Sequence, residues 1–77
     1  MRELYVHLPN ADEVQHFVDS IAALDGDFDF LSNNYILDAR SLMGIFTLDI
    51  SRPLLLRVHQ DTPQNLHVIA PFIVYPS

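Results

Sequence analysis

The chain has 77 residues, a formal net charge of −6 and no cysteine. Its length favours one small domain over residues 1–77, because so short a chain does not enclose a second hydrophobic core. Apolar residues make up 49% of the sequence, which is typical of a globular domain and excludes a disordered chain. The absence of cysteine excludes a disulfide framework and any zinc site built on thiolates.

The charge and the apolar runs also limit the partners. Only four side chains are Lys or Arg, so the overall field repels a nucleic-acid backbone. The longest apolar runs are far shorter than the roughly 20 residues of a spanning helix, which predicts no membrane insertion. No signal peptide is recognisable at the N-terminus. We therefore expect a cytoplasmic protein.

The first half of the chain alternates strand and helix patterns. Residues 4–8 alternate as a strand and stop at Pro9-Asn10. Asn10 and Glu13 have the spacing of a capping box, and one helical face follows at Val14, Phe17, Val18, Ile21, Ala22 and Leu24. Gly26 supplies a left-handed stop after this helix. These signals predict a first strand and a long amphipathic helix.

A hairpin and a short helix follow. Residues 27–30 alternate acidic and aromatic side chains, and residues 35–37 form the returning strand. We expect Asn33 and Asn34, in the turn between them, to adopt the positive φ of a tight hairpin. Ser41 is placed to cap a second helix of about two turns, whose apolar positions end at Leu48. Gly44 weakens that helix by up to about 1 kcal/mol.

The last third predicts one strand and one helix. Pro53 opens a strand over residues 54–59, and Thr62 with Pro63 begins a third helix. Pro71 should kink or end that helix near Ala70. The element order is then strand, helix, strand, strand, helix, strand, helix, which is an α+β domain. We expect one core of Phe17, Val18, Ile21, Phe28 or Phe30, Ile36, Leu42, Ile45, Leu55 and Ile69.

The segment over residues 37–48 carries a family resemblance. It places the basic Arg40 before Ser41, then two apolar residues, Gly44 and a further apolar pair. This order resembles the regulatory-serine segment of HPr, the phosphocarrier family of the bacterial sugar phosphotransferase system. The spacing from Phe28 to Leu48 fits the family without an insertion, and the resemblance is densest between about Phe28 and Val58. The resemblance implies the HPr-like open-faced β-sandwich, with four antiparallel strands covered on one face by three helices in the order βαββαβα.

The same resemblance assigns candidate residues. It implies that Ser41 is a regulatory phosphorylation site for a dedicated serine kinase. It also implies a partner-binding dock that comprises Arg40, Leu42, Met43 and Phe46. Methionine suits an adaptable contact surface, and we expect Met43 to be exposed. The structural alternative for Ser41 is a helix cap with no further role.

The family's phosphohistidine loop is missing from this chain. In HPr a glycine, an apolar residue, the histidine, a variable residue, an arginine and a proline precede the first helix. Here the chain runs from Asn10 straight into the helix through Asp12 and Glu13, whose charges repel phosphate. His16 is the nearest substitute histidine, and its alternative role is that of a surface side chain. The sequence therefore predicts a protein without classical carrier activity.

Other chemistry finds little support in the sequence. The four histidines lack the spacing of a metal site, and the two glycines cannot build a phosphate-binding loop. We therefore expect no metal, no cofactor and no enzymatic activity. The predicted function is a regulatory or binding module related to the phosphotransferase system, monomeric or weakly dimeric. Its protein partners would be phosphotransferase components, a serine kinase or a transcriptional regulator. The alternatives are a residual phosphocarrier that uses His16 and an unrelated α+β interaction domain.

Overall fold

The computed structural model describes residues 1–76 and shows a five-stranded antiparallel sheet with three α-helices. The elements, in chain order, are β1 (Arg2–Val6), α1 (Ala11–Ile21), β2 (Phe28–Leu31), β3 (Ile36–Asp38), α2 (Leu42–Ile45), β4 (Leu54–Val58), α3 (Pro63–Ile69) and β5 (Ile73–Val74). The strand order across the sheet is β3-β2-β4-β1-β5. The α+β class is therefore confirmed.

The sheet has five strands, so the predicted count of four is wrong. Helix α3 ends at Ile69, one residue before the predicted stop, and a 3₁₀ turn over Ala70–Phe72 contains Pro71. The chain then extends beside β1, where the His7 amide donates to the Phe72 carbonyl at 3.0 Å. If α3 continued, helical spacing would place Ile73 on the same face as Ile69. Pro71 instead ends the helix, and Ile73 lies in the edge strand β5.

Local side-chain caps fix where each helix begins. Asn10 Oδ1 accepts from the Glu13 amide at 2.9 Å, which confirms the predicted start of α1. The Ser41 hydroxyl accepts from the Gly44 amide at 3.3 Å, and that of Thr62 accepts from the amide three residues later at 3.2 Å. All three caps lie where the sequence predicts them, because a cap depends only on residues within one turn.

Two predicted turn features differ from the structure. Within residues 1–76, only Gly26 has a positive φ, at 95°. The prediction for Asn33 and Asn34 is therefore wrong, and the Ser32 amide closes that hairpin on the Tyr35 carbonyl at 2.9 Å. Gly26 itself lies in the loop after α1, since that helix already ends at Ile21. The second helix is also shorter than predicted, because single turns replace it beyond Ile45.

One hydrophobic core lies between the helices and one face of the sheet. Its fully buried members include the predicted Phe17, Ile21, Phe28, Phe30, Ile45 and Ile69. Val18 and Leu42 are partly buried against it. Ile36 and Leu55 are wrong predictions, because strand alternation directs both side chains to the other face, where Ile36 is 62% exposed.

None of the helices in the described part of the chain is long and apolar enough to span a membrane. The longest of them, α1, has 11 residues, and acidic side chains occupy its first turn.

Candidate functional site

The α2 surface, defined here as Ser41, Met43 and Phe46, joins the predicted phosphorylation site to the exposed part of the predicted dock. Met43 is 78% exposed and Phe46 is 43% exposed, although both are large apolar side chains. Ser41 is exposed as well, and its hydroxyl caps the first turn of α2. The structure therefore brings a modifiable hydroxyl and two accessible apolar groups together on one short element.

Close packing holds α2 against the sheet. A Cβ atom on Gly44 would lie 2.5 Å from Leu37 Cδ1 and 2.8 Å from Ser41 Oγ, so only glycine allows this approach without a shift of its neighbours. Ile45 is fully buried, and Leu42 is partly buried against the core. Leu42 thus contacts mainly the core. Among the apolar residues of the predicted dock, Met43 and Phe46 are the exposed ones.

Arg40 has a different environment from the one that the sequence suggests. Its guanidinium donates to the carbonyls of Leu24 at 2.7 Å, Gly26 at 2.9 Å and Ile21 at 3.3 Å. The guanidinium carbon also lies 5.1 Å from the centroid of the Phe28 ring. Arg40 therefore satisfies the last carbonyl of α1, where a cation is favourable, and two carbonyls of the loop that follows. Its side chain is therefore occupied within the fold and is not presented as part of a dock.

Polar contacts surround the α2 surface. The Tyr35 hydroxyl lies 3.1 Å from Thr47 Oγ1, which joins the β2–β3 hairpin to the end of α2. Asp38 Oδ1 accepts from the Arg40 amide at 2.9 Å, so a carboxylate is fixed just before Ser41. A cation-rich phosphate pocket is not formed by these groups. Phosphate added to Ser41 would instead join an acidic, partly apolar surface.

The loop after α2 contains an acidic side chain held by local hydrogen bonds. Ser51 donates to Asp49 Oδ1 through its hydroxyl at 2.5 Å and through its amide at 3.2 Å. These two bonds lower the pKa of Asp49, and Arg52 at 3.5 Å adds a smaller effect in the same direction. Asp49 therefore remains a negative charge beside α2 at neutral pH.

The histidines lie in different environments. His16 is exposed on α1, and its ring contacts Phe72 edge to face at a centroid distance of 5.1 Å. The buried Nε2 atom of His7 has no hydrogen-bond partner among the described residues. His59 Nε2 lies 2.7 Å from Asp29 Oδ2 on the sheet face remote from the helices. No group of three potential metal ligands is present within residues 1–76.

The sequence prediction misses the grouping of polar and apolar side chains on the helix-free face of the sheet. Only the alternation of side chains along each strand could have indicated which residues share this face. In β4 the continuous run Leu54-Leu55-Leu56 hides that alternation. Comparison with known proteins adds no assignment to this geometry: no protein-family model, curated protein or solved structure matches the chain.

Proposed function

We propose that this protein is an HPr-like regulatory or binding module of the sugar phosphotransferase system, which acts through the α2 surface without phosphohistidine chemistry. The observation that carries the proposal is the exposed Ser41 beside the exposed Met43. Apolar side chains of this size are usually buried, so their exposure on one short element is consistent with a contact surface.

The proposed fold is the HPr-like open-faced β-sandwich with an added edge strand. The first seven elements follow the order expected for that family, and three helices accompany an antiparallel sheet. Strand β5 is an addition that contains only Ile73 and Val74. Support for this proposal also comes from the register of the segment that begins at Phe28 and includes Ser41.

Phosphorylation of Ser41 would act on binding more than on folding. The phosphate would carry a charge of roughly −1.5 to −2 at neutral pH, close to the carboxylate of Asp38. The guanidinium of Arg40 is held by three carbonyls and does not need to leave them for the fold to persist. Helix α2 has four residues, so its dipole contributes little. The added charge would therefore alter the partner preference of the α2 surface.

The proposed partners are cytoplasmic proteins: phosphotransferase components, the serine kinase or a transcriptional regulator. A regulated contact needs an apolar group that gives affinity and a modifiable group that changes it, and Met43 and Ser41 supply these two roles. Phe46 extends the apolar area. The proposal leaves Arg40 outside the contact.

The first experiment tests the modification. The protein is incubated with ATP and the serine kinase that modifies HPr, and phosphopeptides are located by mass spectrometry. We expect one phosphate on Ser41, its loss in Ser41→Ala, and no effect of Thr47→Ala, which removes a nearby exposed hydroxyl. Phosphate on Thr47 alone, or no phosphate on the wild-type protein, would contradict the proposed regulation.

The second experiment tests the dock. Met43→Glu should leave the free energy of unfolding within about 0.5 kcal/mol of wild type, because the side chain is mostly exposed. It should nevertheless weaken binding to purified phosphotransferase components and to the HPr-responsive transcriptional regulator. Ser41→Asp, which keeps an acceptor at the cap, should fold and change the same binding. Unaltered binding by Met43→Glu would place the contact elsewhere.

A further inference from the structure

The sheet has one face that no helix covers, and an apolar row crosses it. The register of the four strand pairs aligns one residue from each strand, and these five residues, called the apolar row here, are Ile36, Leu31, Leu55, Tyr5 and Val74. At about 4.8 Å between neighbouring strands, the row is roughly 19 Å long. Ile36 is 62% exposed and Tyr5 is 41% exposed, and the other three are half-buried.

A charged row runs parallel to the apolar row on the same face. The same strand pairs align Asp38, Asp29, Arg57 and Glu3, called the acidic row here. Arg57 donates to Glu3 Oε2 from Nε at 3.0 Å and from Nη2 at 2.8 Å, so its charge is matched within the row. Asp29 Oδ2 lies 2.7 Å from His59 Nε2, and Asp38 Oδ1 accepts from the backbone amide of Arg40 at 2.9 Å. The row therefore carries a net negative charge.

Two clefts border the apolar row. One has a volume of about 310 Å³, and its lining includes Tyr5, Leu31 and Leu55. The other has a volume of about 460 Å³ and opens at the β1–β5 edge of the sheet, where its lining joins Tyr5 and Val74 to Leu66 on the helix-covered side. Tyr5 lies between the two. Concave apolar surface beside a large aromatic side chain is typical of the anchoring points in protein interfaces.

We infer that this open face is a second docking surface, for a protein partner whose apolar side chains cover the apolar row and whose Lys or Arg side chains face the acidic row. Charge complementarity determines the occupant. A second copy of this chain would bring another net charge of −6 and another acidic row. A basic flank on the partner instead gains attraction from Asp29 and Asp38.

The open face is independent of the α2 surface. Gly44 places α2 against Leu37, whose side chain points to the helix-covered side of the sheet, whereas the neighbouring Ile36 belongs to the apolar row. A substitution at Met43 therefore leaves the open face unchanged, and a substitution at Ile36 leaves the α2 surface unchanged. The two surfaces can be tested separately in the same full chain.

The test uses three synthetic amphipathic peptides of about 14 residues, long enough for roughly four helical turns. All share one leucine face and carry Lys, Gln or Glu on its flanks. Binding is measured by fluorescence anisotropy to wild type, Ile36→Ser, Leu55→Ser and Asp29→Asn. Val68→Ser, which removes a half-buried apolar side chain from α3 outside both surfaces, is the matched control. Circular dichroism verifies the fold of each variant, and sedimentation reports the oligomeric state.

The proposal gives a specific pattern. The Lys peptide should bind wild type about tenfold more tightly than the Glu peptide, and Ile36→Ser should weaken that binding about tenfold. Asp29→Asn should reduce the difference in affinity between the Lys and Gln peptides, and Val68→Ser should change neither affinity. Equal binding of all three peptides, no binding, or an equal loss of binding in Val68→Ser would overturn the proposal. So would a wild-type dimer that Ile36→Ser dissociates, since the occupant would then be a second copy.

Discussion

Arg40 shows how a residue's neighbours along the chain can mislead about its role. It directly precedes Ser41, and a basic residue in that position suggests support for a phosphate. Its side chain instead reaches three carbonyls contributed by Ile21, Leu24 and Gly26. A buried or half-buried carbonyl without a hydrogen-bond donor costs more free energy than an exposed ion pair contributes. The guanidinium of Arg40 is therefore more stable in hydrogen bonds to these carbonyls than in an exposed ion pair.

Arg40→Ala should therefore destabilise the protein. Loss of the guanidinium removes hydrogen bonds to three carbonyls and the contact with the Phe28 ring, and we expect the free energy of unfolding to fall by about 2 kcal/mol. Urea denaturation measures this change. Arg52→Ala is the matched control and should have almost no effect on the free energy of unfolding, because that side chain is 81% exposed and forms a surface ion pair with Asp49. Equal stability of both variants would contradict a structural role for Arg40.

The site shows a similar limit to prediction at the scale of single residues. The exposure of Met43 follows from its place between the inward-facing Leu42 and Ile45, and the structure agrees. The occupation of Arg40 could not be predicted, since its partners lie 14 to 19 residues earlier in the chain. The grouping on the open face requires the strand register, which a single sequence leaves undetermined.

At the scale of elements, local signals succeed and long-range signals do not. Asn10, Ser41 and Thr62 mark the three helix starts correctly because each cap contacts an amide three residues later. The sequence predicts a longer α2 than the structure has, because the apolar Phe46 continues the helical pattern although it lies just beyond the helix. Strand β5 is missed because its partner is β1, at the other end of the chain.

Helix α1 is the element on which the core depends most clearly. Phe17 is fully buried, and its ring contacts Phe72 at 5.2 Å and Phe30 at 5.7 Å between centroids. It therefore joins α1 both to the sheet and to the turn that precedes β5. These contacts explain why the chain after α3 can lie beside β1 rather than continue as a helix.

Phe17→Ala should reduce the free energy of unfolding by about 3 to 5 kcal/mol, through lost burial and the cavity that remains. This is comparable with the total stability of so small a domain, so the variant should be partly unfolded at room temperature. Phe46→Ala removes the same group from a side chain that is 43% exposed, and should cost less than about 1 kcal/mol. Thermal denaturation compares the two, and similar values would contradict the packing described for Phe17.

Over the whole molecule, negative charge limits which anions and partners can approach. The net charge is −6, and the first turn of α1 contains Asp12 and Glu13. A helix start normally attracts phosphate through its free amides, but these carboxylates oppose that attraction. Asn10 already caps the helix. The N-terminal end of α1 is thus both capped and acidic, and both features oppose the binding of a phosphate group there.

The protein should therefore not accept phosphate from phosphoenolpyruvate through the general phosphotransferase enzyme. The exposed His16 lies beyond the acidic first turn, and its ring contacts Phe72. Incubation with the enzyme and phosphoenolpyruvate, followed by mass spectrometry under conditions that preserve acid-labile phosphate, should detect no phosphohistidine, while HPr in the same assay becomes labelled. A phosphate that appears on the wild type and disappears in His16→Ala would contradict this expectation and establish a displaced carrier site. Phosphate that persists in His16→Ala would instead place the label on one of the other three histidines.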